Sequence, residues 1–295
     1  MNNDWTEISI NTTIIAGELL SEFLIEEGAK GIVLGEWQPD NLSEYTIVKA
    51  YMPFDYEKID ELELKIQEQL KSYSESGLNT GANEVLVNKV KEEDWANSWK
   101  KYFHVLHIGK NLVIKPLWED YSPKENDLVI NFDPGMAFGT GAHPSTQLCM
   151  EKLEELPEIF NKDINILDLG TGSGILSIVM HLLGYENITA IDNDGVAVRA
   201  SEENFSFNNM KINLFKGEIK DCTENYDFIA GNLLAEIIES IADKIAEKLN
   251  PNGLFMGAGI IKHKEESVKK ALEINGLKLI ETRYQGDWVL VLYKK

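Results

Sequence analysis

From residue 164 onward, short apolar segments alternate with longer amphipathic ones, and this regularity limits the folds open to the chain. The apolar segments predict strands at Ile164–Asp168, Ile188–Asp192, Ile212–Phe215, Tyr226–Gly231 and Gly253–Gly257. The amphipathic segments predict helices at Ile175–Leu183, Val196–Phe207, Leu234–Leu249 and Lys264–Ile274. Strands that alternate with helices in this way predict a parallel sheet with right-handed crossovers, and therefore an α/β fold.

The loop after the first of these strands is rich in glycine. Residues 168–174 read DLGTGSG, and the next predicted strand ends at Asp192, with Asp194 two residues later. Glycines let the backbone approach a ligand closely, and a carboxylate at the second strand's end can accept hydrogen bonds from ribose hydroxyls. The pattern predicts a nucleotide-type cofactor site, and a glycine turn without a ligand is the alternative.

The spacing of the glycines bears on which cofactor is bound. Dinucleotide sites normally read GxGxxG and place the pyrophosphate over a helix N-terminus. This chain reads GxGxG, with Asp168 two residues before the first glycine. That version suits S-adenosylmethionine, which has no phosphate but carries an ammonium, a carboxylate and a ribose.

Two strands close the predicted sheet in a different way. Leu277–Tyr284 and Trp288–Tyr293 are separated only by residues 285–287. A connection this short permits only an antiparallel hairpin. A Rossmann-like parallel sheet with a terminal antiparallel hairpin is typical of class I methyltransferases rather than of dehydrogenases.

The first ninety residues predict a module of another kind. Strands are expected at Trp5–Asn11, Gly31–Leu34, Tyr45–Tyr51 and Glu84–Val90, with helices at Ile15–Glu27 and Ile59–Tyr73. This βαββαβ order predicts a ferredoxin-like α+β domain over residues 1–91. It contains no glycine fingerprint and no clustered titratable pair, so we expect it to serve in recognition or docking.

Residues 92–103 predict a linker helix between this module and a second domain at 104–295. Trp95 and Trp99 lie one helical turn apart and therefore share a face. They could equally be ordinary core residues, and the two interpretations are compatible because a connecting helix must bury that face.

A second glycine-rich segment, residues 133–146, reads DPGMAFGTGAHPST. It follows strands predicted at His104–Ile108, Leu112–Lys115 and Leu128–Phe132. Glycines among small residues cannot build a core and suit a ligand-facing loop. Pro144 is expected to begin a helix, with the hydroxyls of Ser145 and Thr146 available for capping or ligand contact.

Charge and composition limit the classes of molecule that we expect this chain to bind. The chain carries 28 basic and 49 acidic side chains, a formal net charge of −21, which repels a phosphate backbone and argues against direct nucleic-acid binding. A basic protein would be attracted, although the acidity could also serve only solubility. No apolar stretch approaches the about 20 residues that span a membrane, and the N-terminus lacks a secretory pattern. We expect a cytoplasmic monomer.

The cysteines and histidines do not predict a metal site. Cys149 and Cys222 lie far apart and lack metal-ligand spacing, so free thiols are expected. The five histidines are scattered along the chain.

Several pieces of the sequence are informative in combination: DPGMAFGTGAHPST, ILDLGTGSGILSI, AIDNDGVAV, GNLLAEII, GDWVLVL and DWANSW. In these motifs the chain resembles the ribosomal protein L-eleven methyltransferase (PrmA-type) family over most of its length. The resemblance implies methyl transfer from S-adenosylmethionine to lysine side chains and to the α-amino group of that large-subunit ribosomal protein. It also implies that the N-terminal module recognises this substrate.

The resemblance also implies which residues contact the cofactor: Thr146, Gly170, Asp192 and Asn232. Asp168 and Gly172 join them from the glycine pattern, as does Phe138 from the second glycine-rich segment. Asn232 follows the fourth predicted strand, at the carboxyl edge where ligands of open α/β sheets bind. Its alternative role is to cap the following helix. The chain has Thr171 where the family commonly has Cys, and Gly231 where it has Ala.

Methyl transfer is an in-line attack on a carbon that a sulfonium already activates, so the protein must mainly position and desolvate. A lysine with a pKa of about 10.4 is mostly protonated at neutral pH, and burial beside a cation favours its neutral form. Carbonyl oxygens around Asn232 would orient the amine. His143 could relay its proton or serve only as a scaffold. Phe138 could close over the methionine moiety or the substrate lysine, or only anchor its loop.

Three other functions remain open. A glutamine methyltransferase usually shows Asn-Pro-Pro-aromatic where this chain reads NLLA at 232–235, and an enzyme for a small-molecule acceptor is a related possibility. A dehydrogenase would require GxGxxG. A non-catalytic adaptor would dock on ribosomal proteins without transferring a methyl group.

Overall fold

The computed structural model describes residues 4–29, 31–34, 45–53, 59–91, 103–133 and 141–295. The chain divides into two compact units, Met1–His104 and Val105–Lys295. The predicted linker helix lies outside the described residues, apart from Phe103. Within the part of the chain that is described, no helix is long and apolar enough to cross a membrane.

The described part of the first unit contains four strands and two helices. They are β1 (Asp4–Thr13), α1 (Ile14–Glu26), β2 (Gly31–Leu34), β3 (Tyr45–Pro53), α2 (Ile59–Glu75) and β4 (Glu84–Lys91). The sheet order is β2-β3-β1-β4, and every neighbouring pair is antiparallel. Because strand side chains alternate between faces, Ile8, Ile10 and Val48 point together and pack with Leu20 and Leu62 of the helices. The core of this unit therefore lies between one sheet face and the two helices.

A mixed seven-stranded sheet forms the centre of the second unit. Its strands are β8 (Ile166–Leu169), β9 (Ile188–Asp192), β10 (Asn213–Lys216), β11 (Tyr226–Asn232), β12 (Leu249–Ile261), β13 (Lys278–Gln285) and β14 (Trp288–Lys294). The order is β10-β9-β8-β11-β12-β14-β13. Strands β8 to β12 are parallel, whereas β14 runs antiparallel to both β12 and β13. The fold is therefore α/β with a mixed sheet.

The strand order places a crevice between β8 and β11. From β8 the chain moves outward to β9 and β10, and it then returns to the other side of β8 to continue with β11 and β12. Such a reversal leaves a gap at the carboxyl ends of the two central strands, where ligands of open α/β sheets bind. Gly170 directly follows β8 and Asn232 ends β11, so both lie at this gap.

Six α-helices, two short 3-10 helices (Ile219–Asp221 and Lys262–Lys264) and a small sheet complete the described part of this unit. The helices are α3 (Pro144–Leu153), α4 (Leu156–Ile159), α5 (Ile175–Leu182), α6 (Gly195–Phe207), α7 (Ala235–Lys248) and α8 (Glu265–Ile274). Strands β5 (Leu106–Ile108), β6 (Leu112–Pro116) and β7 (Leu128–Phe132) pair in that order. The main core joins buried sheet residues such as Ile229 and Phe255 to Ile238 of α7.

One strand differs clearly from its prediction. Strand β12 begins at Leu249, four residues before the predicted start, and continues to Ile261. Pro251 lies in the part of the strand that was not predicted, and the structure accommodates it in an irregular pairing in which Tyr226 faces Leu249 and Phe228 faces Leu254. A bulge of this kind inserts residues into a strand without ending it.

Candidate active site

The glycine loop after β8 has a left-handed backbone that requires glycine. Gly170 and Gly174 have φ angles of +70° and +83°. A Cβ on Gly170 would lie 2.4 Å from Leu233 Cδ2, and one on Gly174 would lie 2.6 Å from the ring of Phe205. Both conformation and close packing therefore exclude a side chain at these positions.

Asp168 uses one carboxylate oxygen to hold this loop. Oδ2 accepts hydrogen bonds from Thr171 Oγ1 at 2.7 Å, from Ser177 Oγ at 2.6 Å and from the Ser177 backbone amide at 3.1 Å. Oδ1 is buried and has no hydrogen-bond partner among the described residues. Burial raises the pKa of Asp168, while the hydrogen bonds from Ser177 and Thr171 oppose that rise. The residue thus combines a structural oxygen with an acceptor that is still available.

Asp192 and Asp194 have different hydrogen-bond partners and therefore different roles. Asp192 Oδ2 accepts from the Gly172 amide at 2.9 Å, and its Oδ1 accepts from the Asp194 amide at 2.9 Å. Each carboxylate oxygen has two lone pairs, so each oxygen of Asp192 can accept a further hydrogen bond. Asp194 is the N-cap of α6 and accepts from the Val196 amide at 2.8 Å. Only Asp192 is therefore placed as a candidate cofactor ligand.

Asn232 and Thr146 come from distant parts of the sequence and meet at the crevice. Asn232 Nδ2 donates to Thr146 Oγ1 at 3.1 Å, and Asn232 Oδ1 is buried without a partner among the described residues. The alternative role of Asn232 as a helix cap is wrong, because α7 begins only at Ala235 and its N-cap position, Leu234, makes no side-chain capping bond. A buried amide oxygen is therefore left for a ligand.

Gly259 of β12 lies next to Asn232, and it was not predicted from the sequence as a site residue. Its φ is +79°, and a Cβ there would lie 2.5 Å from the Leu233 carbonyl oxygen and 3.1 Å from Asn232 Oδ1. A glycine inside a strand indicates a bulge or a close approach of another group. The GAG sequence at 257–259 was the available signal.

His143 caps the helix that carries Thr146. Its Nδ1 accepts from the Ser145 amide at 3.2 Å and lies 2.7 Å from Ser145 Oγ. The ring packs edge-on against Trp288, with centroids 4.5 Å apart. Burial lowers the pKa of His143 to about 4. The imidazole is therefore neutral at neutral pH, with Nδ1 in use as an acceptor.

The structure thus brings together most of the residues that the sequence singles out. Asp168, Gly170 and Gly172 form one wall at the end of β8, with Asp192 beside Gly172, and Thr146 and Asn232 pair at the end of β11. The predicted contact of Phe138 falls within residues 134–140, which lie outside the described residues.

A polar cleft and two cysteines of the second unit are not among the predicted site residues. A polar cleft of about 450 Å³ opens at the amino ends of the parallel strands, between Asn165, Thr189 and Tyr226, and contains none of the predicted site residues. Cys149 and Cys222 are buried, free thiols, as predicted. No group of three or more potential metal ligands occurs among the described residues.

Residues 4–295 match the family model described as ribosomal protein L11 methyltransferase (PrmA). A curated relative of that name from Brevibacillus brevis is 39% identical over 99% of each chain, and one from Alkaliphilus oremlandii is 36% identical over 98% of each. A crystal structure of the ribosomal protein L11 methylase from Lactobacillus delbrueckii subsp. bulgaricus matches 66% of this chain and 99% of its own, with a TM-score of 0.60 and 33% identity.

Proposed function

The chain belongs to the ribosomal protein L11 methyltransferase (PrmA) family, and from this premise we propose that it methylates lysine side chains and the α-amino group of ribosomal protein L11. The cofactor is S-adenosylmethionine, which supplies a methyl carbon activated by its sulfonium. The observation that carries the proposal is a pair of buried oxygens at the carboxyl edge of the sheet, Asp168 Oδ1 and Asn232 Oδ1, which have no hydrogen-bond partner among the residues that the structure describes. A buried acceptor without a partner costs about 1–3 kcal/mol, so bound molecules are expected to supply the donors.

The residues at the first wall fit the cofactor's hydrogen-bonding groups. Asp168 Oδ1 is an anionic, buried acceptor suited to an ammonium, and Asp192 has lone pairs for ribose hydroxyls. Gly170 and Gly172 present backbone without side chains beside them. Thr146 completes the set through the hydroxyl that also contacts Asn232. The GxGxG loop therefore holds S-adenosylmethionine better than a pyrophosphate.

Asn232 is suited to orient the acceptor amine. With Nδ2 held on Thr146 Oγ1, its Oδ1 is left to accept an N–H of a neutral amine. This hydrogen bond would aim the nitrogen lone pair, and burial next to a cation would keep the amine unprotonated. Orientation and desolvation, rather than a strong base, are the contributions of this chain's residues.

His143 fits a positioning role better than proton relay. A pKa of about 4 makes the imidazole a poor proton acceptor at neutral pH, and its Nδ1 already accepts from Ser145. By capping α3, His143 sets the direction of the helix start and thereby the position of Thr146.

The two units would divide recognition and chemistry. Residues 1–91 are proposed as a ferredoxin-like substrate-recognition domain, residues 92–103 as a linker helix, and residues 104–295 as the methyltransferase domain, whose β13–β14 pair forms the terminal hairpin. The antiparallel β2-β3-β1-β4 order supports the first assignment. Ile47 and Leu86, 42% and 51% exposed, offer contact area on the sheet. A net charge of −21 repels RNA, so the preferred substrate would be the free, basic ribosomal protein rather than the same protein bound to ribosomal RNA. The enzyme would act as a cytoplasmic monomer.

Incubation of the full chain with methyl-labelled S-adenosylmethionine and free ribosomal protein L11 tests the proposal. Mass spectrometry should locate label on lysine Nζ atoms and on the α-amino nitrogen. Asn232→Ala should lower kcat by about 100-fold, the scale of one lost transition-state hydrogen bond, while Asn187→Ala, an exposed asparagine at the amino end of the sheet, should leave it unchanged. Absence of label in L11 despite cofactor binding would reject the substrate, and unchanged turnover in the Asn232 variant would reject the orienting role.

A further inference from the structure

Three side chains on one face of helix α6 lie against three successive residues of the glycine loop. Ser201 Oγ donates to the Gly172 carbonyl at 2.8 Å, and Asn204 Nδ2 donates to the Ser173 carbonyl at 2.9 Å. The ring of Phe205 occupies the space that a Cβ on Gly174 would need. Positions i, i+3 and i+4 of a helix share one face, so three successive loop residues are held by three side chains of one helix.

Asn204 has a second partner on the opposite side. Its Oδ1 accepts from the Asp133 amide at 3.0 Å, and Asp133 directly follows β7. The side chain is buried, with 1% of its surface exposed. A buried carboxamide with donor and acceptor both engaged fixes its neighbours strongly, because loss of either bond leaves a polar group unpaired. Asn204 therefore ties the cofactor loop to the end of a strand in another sheet.

We propose that Asn204 is a positioning residue that sets the affinity for S-adenosylmethionine by fixing the Ser173 carbonyl, and with it the path of the glycine loop, against the end of β7. The inference rests on the cofactor site proposed above. A loop that is already held in its binding conformation costs little ordering when the cofactor arrives. When only a fraction of molecules hold that conformation, the apparent Kd rises by the inverse of that fraction.

Asn208, four residues after Asn204 at the C-cap of α6, provides a matched control. Its Oδ1 accepts from the Asn131 amide at 2.9 Å and its Nδ2 donates to the Asn131 carbonyl at 2.8 Å. It therefore anchors the same helix to the same strand and, among the described residues, makes no hydrogen bond to the glycine loop. Removal of Asn208 should weaken the anchoring of α6 to β7, whereas removal of Asn204 should also eliminate the hydrogen bond that α6 donates to the Ser173 carbonyl.

Titration calorimetry of S-adenosylhomocysteine with the full chain, together with thermal unfolding, separates the two roles. Asn204→Ala should raise Kd about tenfold, as expected if one molecule in ten keeps the loop in place, and should raise KM for S-adenosylmethionine similarly, with kcat at saturating cofactor within twofold. Asn208→Ala should lower Tm but keep Kd within twofold. If Asn204→Ala does not fold, Asn204→Ser, whose hydroxyl is too short to bridge both partners, should give the same rise in Kd.

An unchanged Kd in the Asn204 variant, or equal rises in both variants, would overturn the inference. Wild-type protein that does not bind S-adenosylhomocysteine would instead reject the cofactor site itself, and this inference with it. A rise in Kd restricted to the Asn204 variant supports the positioning role.

Discussion

Glu7 in the first unit and Asp168 in the second are both carboxylates held near a sheet, but the structure treats them differently. Glu7 Oε1 accepts from Ser9 Oγ at 3.1 Å and from Lys49 Nζ at 3.3 Å, and its Oε2 accepts from Tyr51 Oη at 2.8 Å. Asp168 leaves one buried oxygen without a partner among the described residues. A carboxylate satisfied by its own fold contributes to structure, whereas one that is half satisfied keeps capacity for a ligand.

Exchange of the two carboxylates for amides should give the largest contrast between these regions. Asp168→Asn should raise the Kd for S-adenosylmethionine about 10- to 100-fold, because a hydrogen bond to a charged group contributes about 1.5–3 kcal/mol. Glu7→Gln should lower Tm by several degrees and leave that Kd within twofold. Titration calorimetry and thermal unfolding measure both quantities, and equal changes in Kd for the two variants would remove the distinction.

His143 provides a smaller, pH-dependent test within the site itself. Its pKa is about 4 in the folded chain and about 6.5 when unfolded, so between these values the unfolded state binds more protons. The free energy of unfolding therefore rises with pH across this window, by up to about 1.4 kcal/mol per pH unit. The wild-type Tm should fall as pH drops from 6.5 towards 4.

His143→Asn is the matched variant, because asparagine also caps helices but does not titrate. It should lose less Tm than the wild type over the same pH range and keep kcat within a few-fold. Parallel pH profiles for the two proteins would contradict the buried neutral imidazole. A kcat reduced by orders of magnitude would instead restore His143 as a proton relay.

The smallest change in stability is expected for a substitution among the paired charges around Glu155 and Glu281 of the second unit. Lys152 of α3 contacts Glu155 and Glu281 at 2.7 Å each, and Arg283 of β13 contacts Glu155 at 2.8 Å. Arg283→Lys loses the two-pronged contact, but about a quarter of the Arg283 side chain is exposed, so water and salt screen the network. Unfolding experiments at low and high salt should show less than about 1 kcal/mol of destabilisation, with cofactor affinity unchanged. A large change in affinity would mean that paired charges also control the site.

The helices and strands were predicted well where the spacing of apolar residues followed one clear period, that of a strand or that of a helix. The strand and helix alternation after residue 164 gave the parallel order, and the DLGTGSG spacing placed Gly170 and Asp192 at one edge because strand ends of a parallel sheet meet there. The comparisons also confirm the family that the motifs resemble. The prediction was incomplete at β12, which was expected to begin at Gly253 but begins at Leu249, with Pro251 inside the strand.

The positioning contacts could not be read from the sequence. Asn204 meets Ser173 and Asp133 across separations of 31 and 71 residues. Such contacts depend on how α6 packs over the loop, and an asparagine in a helix more often points to solvent or bonds locally. Likewise, nothing in the pattern indicated that one oxygen of Asp168 would hold the loop while the other would have no partner within the described part of the chain.

The proposed contacts of Asp168 and Asp192 have a consequence for regulation. The ammonium and the ribose that these carboxylates would bind are present both in the methyl donor and in the spent donor that remains after transfer. The spent donor is also neutral at sulfur, so it keeps those anchors while losing the positive charge. The enzyme would therefore be subject to product inhibition, and its rate in the cell would follow the ratio of fresh to spent donor rather than the donor concentration alone.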